Sequence, residues 1–371
     1  MLNPENPEPK KIGILHWFSS TFGQILISLF VPAVTFLVLW QGYLFLSRAD
    51  VPQIILVIVA IIWGVGGVAL LYLVANWLVL KLPKAWSKRL QPFVFVGPAI
   101  AIMGWFLALP VFRSLISSFR NNYGTQWVRL DNYIFAFTNP RMLETFRNNL
   151  LWLVFGTGFS VALGLLIAVL ADRSKFEVVY KSIIFTPMAI SFVGAGVIWK
   201  FIYDFKGAGS EIGLLNAIVV ALGGNPQPWL TIAPWNNFLL IIIMVWLQTG
   251  YAMVILSSAI KGVPAELLEA ARIDGASEVR GFFSITVPYI KGTLLTVITT
   301  IVIFSLKLFD IVRVMTGGNN QTNVIANEFY LQKFTYGHDG RASAIAIVLL
   351  LAVSPVIIYN LRIFNKERKG F

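Results

Sequence analysis

The sequence predicts an all-α, polytopic membrane protein with about eight transmembrane helices. Three observations carry that prediction. Of 371 residues, 57% are hydrophobic and only 12% are charged, with a mean hydropathy of +0.76; soluble domains carry about 25% charged residues. Apolar stretches of roughly 20 residues, the length that crosses a bilayer, recur along the chain. The basic residues divide unequally between alternate loops, as they do in membrane proteins with a fixed orientation. Disordered chains, coiled coils and most soluble enzymes are excluded on the same composition. The net charge of +12 belongs, in so apolar a chain, to basic loops at a membrane surface, and nucleic acid is not an expected partner. With no cysteine and two histidines, disulfides and thiolate chemistry are excluded and a zinc site is not expected.

Taken in order, the apolar windows cover residues 23–47, 53–80, 92–112, 149–171, 182–203, 238–260, 292–315 and 342–363. The second is long enough to tilt or bend and carries Gly64, Gly66 and Gly67 near its middle. The opening segment MLNPENPEPKK is polar and has no small-residue cleavage site, so it reads as a cytoplasmic tail. Of the 29 basic residues, 17 fall on the side of the alternate loops that includes this tail. That richer side is expected to be cytoplasmic, with both termini on it. The basic stretch KLPKAWSKRL, ending at Leu90, divides the tail and two accessory spans (residues 1–90) from a six-span core (residues 91–371). External residues 113–148 and 204–237 are rich in Asn, Trp, Pro and Gly and are expected to fold as caps on which a soluble partner docks.

The most informative stretch is the loop at 261–291, KGVPAELLEAARIDGASEVRGFFSITVPYIK, predicted cytoplasmic. Pro264 suits a first helical turn, with Glu266 and Glu269 near the positive end of the helix. Gly275, after Asp274, fits the left-handed residue that ends a helix, and Ser277 suits the cap of a second one. Pro288 is expected to stop that second helix before the next span. Leu267, Leu268 and Ala271 share one face at helical spacing. Two readings are open on this pattern: an amphipathic helix resting on lipid, or a narrow helix, thinned by Ala270 and Ala271, that enters a groove on another protein.

The spacing Glu269-Ala270-Ala271, three residues, Gly275, nine residues, Ile285, one residue, Val287-Pro288 resembles the EAA loop of importer permeases of the ATP-binding-cassette class. Val287 stands where that family usually has Leu. Leu130-Asp131-Asn132-Tyr133, Pro187, Ile198-Trp199-Lys200, Gly213-Leu214-Leu215-Asn216 and Thr316-Gly317-Gly318 with Phe329-Tyr330 are similar to elements of its sugar-permease branch. The resemblance implies a type I importer permease fold of the maltose-permease kind, in a bacterial cytoplasmic (inner) membrane. It implies that Glu269, Ala270, Ala271, Asp274, Gly275, Ile285 and Pro288 couple the chain to an ATPase subunit dimer. Further partners implied are a second, different permease subunit, a periplasmic solute-binding protein and membrane lipid. The chain has no Gly-Lys-Ser/Thr phosphate loop, so it binds no cofactor and hydrolyses nothing itself; ATP and its magnesium belong to the partner ATPase. The stretches Thr316–Asn320 and Asn323–Ala326 are most similar to α-glucoside permeases, which implies a cargo such as glucosylglycerol, sucrose or trehalose.

A neutral sugar crossing a membrane needs hydrogen-bonding groups beside aromatic faces. Trp246, Gln248 and Tyr251 place such groups in the sixth span. The resemblance puts Tyr251 at a sugar-contacting position and Gln248 at a position usually held by Gly. In the seventh span, Phe304, Ser305 and Leu308 fall on positions that in the maltose type carry an aromatic and two Asn, which argues against maltose itself. Lys307 and Asp310, three apart on one helix, form either a polar wall of the solute path or a self-satisfied ion pair that also suits the second permease. Met244, Met253 and Met315 read as packing, and His338 as solvated. A stand-alone secondary transporter would show repeated halves. A membrane enzyme would show clustered acid, base or nucleophile groups. The dispersed Asp131, Glu144, Asp204 and Glu211 supply neither.

Overall fold

The computed structural model describes residues 21–47, 51–207 and 213–369; the tail at 1–20, Arg48 and Glu211 lie outside the described residues. Two compact units result, residues 1–111 and 112–371. No strand occurs among the described residues, only an isolated antiparallel bridge between Arg120 and Trp127.

The first unit holds α1 (Thr21–Leu46), α2 (Gln53–Leu80) and the start of α3 (Lys84–Ser117). Consecutive helices pack in chain order. Their contacts are mostly apolar, with Tyr72 stacked on Phe95 and one amide bond from Gln91 to Asn76 at 3.2 Å. The three glycines leave α2 unbroken, and none of its residues is buried. Side chains such as Ile62 and Val65 lie about two-thirds or more exposed, at 67% and 72%. A hydrocarbon solvent satisfies that surface and water does not.

The second unit contains α4 (Asp131–Thr138), α5 (Pro140–Asp172), α6 (Glu177–Ala189), α7 (Phe192–Ile202), α8 (Leu214–Ala221), α9 (Trp235–Lys261), α10 (Ala265–Ile273), α11 (residues 278–289), α12 (Lys291–Leu306), α13 (Asp310–Met315), α14 (Ile325–Tyr330) and α15 (Asp339–Lys369). Its central column is α9, 67% of whose most apolar window is buried, against 33% for α5 and 39% for each of the last two spans. Leu240, Ile241, Met244 and Leu256 of α9 form the main core with Trp152 of α5 and Ile301 of α12. The α5–α9 contact is closest at Gly164: a Cβ there would lie 2.5 Å from the Ala252 Cβ and 2.9 Å from the Met253 nitrogen. Small residues that let backbones approach are how helices associate in lipid, where burial itself gives no net drive.

Seven described helices are long and apolar enough to cross a membrane, and the total is eight where one bent pair counts as a single span. The pair is α6 and α7, which meet at 102°. Pro187 sits in a tight turn, Ile190 and Ser191 are extended, and the Ser191 hydroxyl accepts from the Gly194 amide at 3.0 Å to start α7 afresh. The seventh span also departs from expectation. α12 ends at Leu306, residues 307–309 are non-helical, and α13 begins at Asp310. Lys307 and Asp310 are therefore not on one helix, and no ion pair joins them among the described residues.

The loops expected to be external are folded by buried amides. Asn132 donates to the Ser118 and Arg120 carbonyls at 2.9 and 2.7 Å. Asn216 bridges Asp204, Gln227 and Trp229 through four bonds of 2.8 to 3.0 Å. Each amide satisfies loop groups that have no ladder or helix partner. The Asn of each expected family element is thus a scaffold residue.

Candidate functional site

Two places in the second unit gather the candidate residues. The first is the 261–291 loop. Pro264 takes the cap position of α10, one residue before the first turn. The helix ends with the Gly275 amide bonded to the Arg272 carbonyl at 3.0 Å and the Ala276 amide to the Ala271 carbonyl at 2.9 Å. That pair of bonds requires a left-handed residue, and Gly275 supplies it with φ +81°. Asp274 is the cap residue before it. The Ser277 hydroxyl then accepts from the Arg280 amide at 3.3 Å and opens α11.

Within α10, Leu268 and Ala271 turn inward while Glu269 and Ala270 are exposed. Leu267 does not share the inner face; it is exposed, because the helix is held only along the stripe of Leu268. Ile273, which the sequence reading passed over, is the boldest feature, with 86% of its surface open. The loop thus presents Glu269, a narrow Ala270 and an unpartnered Ile273 outward, a knob of the size and chemistry that fits an apolar groove with a basic rim. Ile285 is half-buried in a wide turn at 282–286. Pro288 lies at the end of α11, which stops one residue later at Tyr289, before α12 opens at Lys291. The Glu278 carboxylate accepts from Arg173 at 2.7 Å, and that guanidinium holds its carboxyl below the usual carboxylate range.

The second place is a cavity of about 200 Å³ lined by Phe192, Met244, Gln248, Phe304, Lys307, Leu308, Phe309 and Asp310. It brings together α7, α9 and the 306–310 break. Five expected solute-path residues meet there: Gln248, Phe304, Lys307, Leu308 and Asp310. Gln248 is 6% exposed, and no hydrogen bond reaches its amide among the described residues. The amide is not among the fully enclosed polar atoms that lack a partner, so it keeps some open surface, and water or a ligand in the cavity can bond it. Phe192 and Phe304 lie 6.4 Å apart at the rim. The break at 307–309 turns Lys307 and Asp310 toward the cavity instead of toward each other, so both remain available as donor and acceptor. Trp246, Tyr251 and Ser305 do not line it. Trp246 meets the Trp199 ring edge-on at 5.8 Å, Tyr251 packs against the main core, and the Ser305 hydroxyl is buried without a partner. Met244 is both core and cavity wall.

At the opposite end of the unit lies a polar scaffold that the sequence reading did not find. Asn320 and Gln321 have positive φ, 54° and 61°. Their carbonyls accept from Asn236 at 2.7 Å, from Asn148 at 2.8 Å and from Asn237 at 2.9 Å. Glu328, fully buried, accepts from Arg141 at 2.8 Å and from Asn323 and Gln332 at 2.7 Å each. His338 is not simply solvated, since its Nδ1 meets the Gln332 Oε1 at 2.9 Å. Asn spacing and a Gly-Gly turn were the available signals; the pairing across 84 to 187 residues was not.

Comparisons with known proteins agree on one family. Residues 160–366 match the family described as the binding-protein-dependent transport system inner membrane component. The chain is 54% identical over 277 residues to the osmoprotective compounds uptake permease protein GgtC of Synechocystis sp., covering 74% of this chain and 99% of that one. It is 48% identical over 286 residues to the alpha-glucoside transport system permease protein AglF of Rhizobium meliloti, covering 76% and 85%. Among solved structures, a chain of a bacterial ABC transporter involved in the import of the acidic polysaccharide alginate shares the fold, with a TM-score of 0.64, 19% identity, and coverage of 76% of this chain and 99% of that one.

Proposed function

The chain belongs to the family of binding-protein-dependent transport system inner membrane components, and from that premise we propose that it carries an α-glucoside-type sugar into the cytoplasm. It is a permease subunit of an ATP-binding-cassette importer. The cargo we assign is a small neutral glucoside such as glucosylglycerol, sucrose or trehalose, delivered by a periplasmic solute-binding protein. Support comes from the named cargo of the Rhizobium relative and from the osmoprotective role of the Synechocystis one. The single observation that carries the mechanism is the 261–291 loop: a helix, a glycine-locked turn and a second helix that leave Glu269, Ala270 and Ile273 uncovered. An ATPase dimer grips that face and supplies the work, with ATP and magnesium held by the dimer. Both termini lie on the same, cytoplasmic side. A second permease completes the path, the two leading spans are accessory to the core, and the spans alternate between inward-open and outward-open forms.

Inside the path, Gln248, Lys307 and Asp310 hydrogen-bond sugar hydroxyls while Phe192 and Phe304 flank the apolar faces of the ring. No proton transfer or covalent step is required of them. Uptake of radiolabelled glucosides by cells carrying the complete system tests the assignment. ATP-dependent accumulation of a glucoside is expected, and Gly275→Trp abolishes it while the protein still inserts. Accumulation of amino acids or phosphate but no sugar would overturn the cargo. Sugar uptake that survives Gly275→Trp would remove the loop from the drive.

A further inference from the structure

A cluster of charges sits at the root of the 261–291 loop, apart from the face offered to the ATPase. Lys181 of α6 donates to Asp172 at the end of α5, to Glu177 one turn back on α6, and to Ser257 of α9. Ser257 in turn donates to the same Asp172 oxygen at 2.7 Å, and Lys261, the last residue of α9, donates to Glu177. The side chains of Lys181, Asp172 and Glu177 are 17%, 13% and 26% exposed. The other Asp172 oxygen is buried with no partner, so Lys181 is the cation that compensates this carboxylate. The next residue, Arg173, bonds Glu278 on the far arm of the loop. Residues 172–181 therefore touch the coupling loop at two points, its entry through Lys261 at the end of α9 and the head of its second arm through Glu278, the latter by a solvent-exposed pair. Between those points a cavity of about 220 Å³ separates the middle of the loop from α5.

We propose that Asp172, Glu177 and Lys181 form a brace of positioning residues, through which movement of the coupling loop is passed to α5, α6 and α9 together. A hairpin held on both of its arms turns as one body; held on one arm only, it bends. The same helices reach the solute cavity: Gln248 is nine residues from Ser257 on α9, roughly 13 Å at 1.5 Å per residue, and α6 leads through its bend to Phe192 at the start of α7. The mixed composition, two carboxylates and two ammonium groups with a hydroxyl between them, keeps the joint neutral while fixing its geometry. A hydrophobic joint of equal size would allow sliding, whereas breaking one charge contact here leaves an uncompensated partner. The brace rests on the reading of the chain as an ATP-driven importer subunit.

The test uses the complete complex reconstituted in vesicles, and reads ATP hydrolysed per glucoside transported. Lys181→Met is expected to raise that ratio at least about fivefold, the lower end of a typical coupling between sites, with subunit stoichiometry unchanged. Lys181→Arg, which keeps the charge, is expected to return the ratio toward the wild-type value. A merely structural role lowers hydrolysis and transport in parallel and leaves the ratio alone, so an unchanged ratio in an assembled Lys181→Met complex would overturn the proposal. Where that variant does not assemble, Ser257→Ala removes two contacts and Lys261→Gln one, and both leave Asp172 paired with Lys181; a raised ratio in either supports the brace, and unchanged ratios in both overturn it. A wild-type chain that binds no ATPase would instead overturn the importer reading, and the brace with it.

Discussion

Arg141 and Glu328 show what one residue pair contributes at the end of the core opposite the coupling loop. Glu328 has no exposed surface, and its carboxylate is met by one guanidinium and two side-chain amides. Arg141 is 44% exposed, so its charge is still partly hydrated. The pair is thus asymmetric: water can replace Glu328 for Arg141, but nothing can replace Arg141 for Glu328. Removing one member of a buried pair costs about 3 to 5 kcal/mol, and the open side of Arg141 places the effect near the lower figure. Arg141→Met is accordingly expected to destabilise the folded protein by about 3 kcal/mol, seen as a lower unfolding midpoint of the solubilised chain. A midpoint equal to wild type would show that the two amides alone satisfy the carboxylate. This pair was not legible in the sequence, because 187 positions separate its members and each reads alone as a charged loop residue. Gly275 was legible, since a glycine following a short amphipathic helix has one common structural use, and it takes that conformation. Gln248 was legible only as a polar residue in a span; that it lines a cavity with no protein partner for its amide is a tertiary fact.

At the scale of elements, α5 offers a controlled comparison. Gly158 and Gly164 sit in the same apolar span, under two turns apart and on different faces of the helix, and hydropathy does not say which face meets a neighbour. A Cβ at Gly158 would meet nothing within 4 Å, whereas one at Gly164 would press on Ala252 and on the α9 backbone. Gly158→Ala should therefore be neutral or stabilising by up to about 1 kcal/mol, the helix-propensity difference. Gly164→Val should destabilise by about 1 to 3 kcal/mol, since backbone cannot give way as a side chain can. Parallel thermal unfolding of the two variants checks this, and equal shifts would mean that α5 and α9 are not in close contact. The same reasoning explains which elements could be read from the sequence. Seven of the eight apolar windows correspond to helices of spanning length and the window at 182–203 to the bent pair, because length and hydropathy are what the bilayer selects. The elbow between α6 and α7 was only half-legible: Pro187 and Ser191 are proper breaking and capping signals, yet they lie in an apolar run that a spanning-length window averages over. The break at 307–309 carried no local signal at all. Lys307, Leu308 and Phe309 include neither Gly nor Pro, and the turn is made where Leu308 is buried against the core, with 7% of its surface left open.

For the whole molecule, the instructive fact is how unequally the two units are built. The second has a buried core, an internal polar scaffold and both candidate sites; the described part of the first is a set of apolar helices with scarcely a buried residue. The Synechocystis relative is spanned to 99% of its length by 74% of this chain, so about a quarter of the chain has no counterpart in that relative. Removing residues 1–83 deletes α1 and α2, two spans. An even number leaves the remaining helices entering the bilayer from the same side, and the basic residues Lys84, Lys88 and Arg89 stay in place to fix that side. A chain beginning at Lys84 behind a start methionine is therefore expected to insert in the native orientation, to bind the ATPase and to retain glucoside uptake. Accessibility of a single cysteine introduced at Ser277, in a chain that has none of its own, reports the orientation, because the coupling loop must remain shielded from external reagents. Labelling from outside would mean that the leading spans set the topology. Correct labelling with lost uptake would give them a part in assembly that the core does not supply.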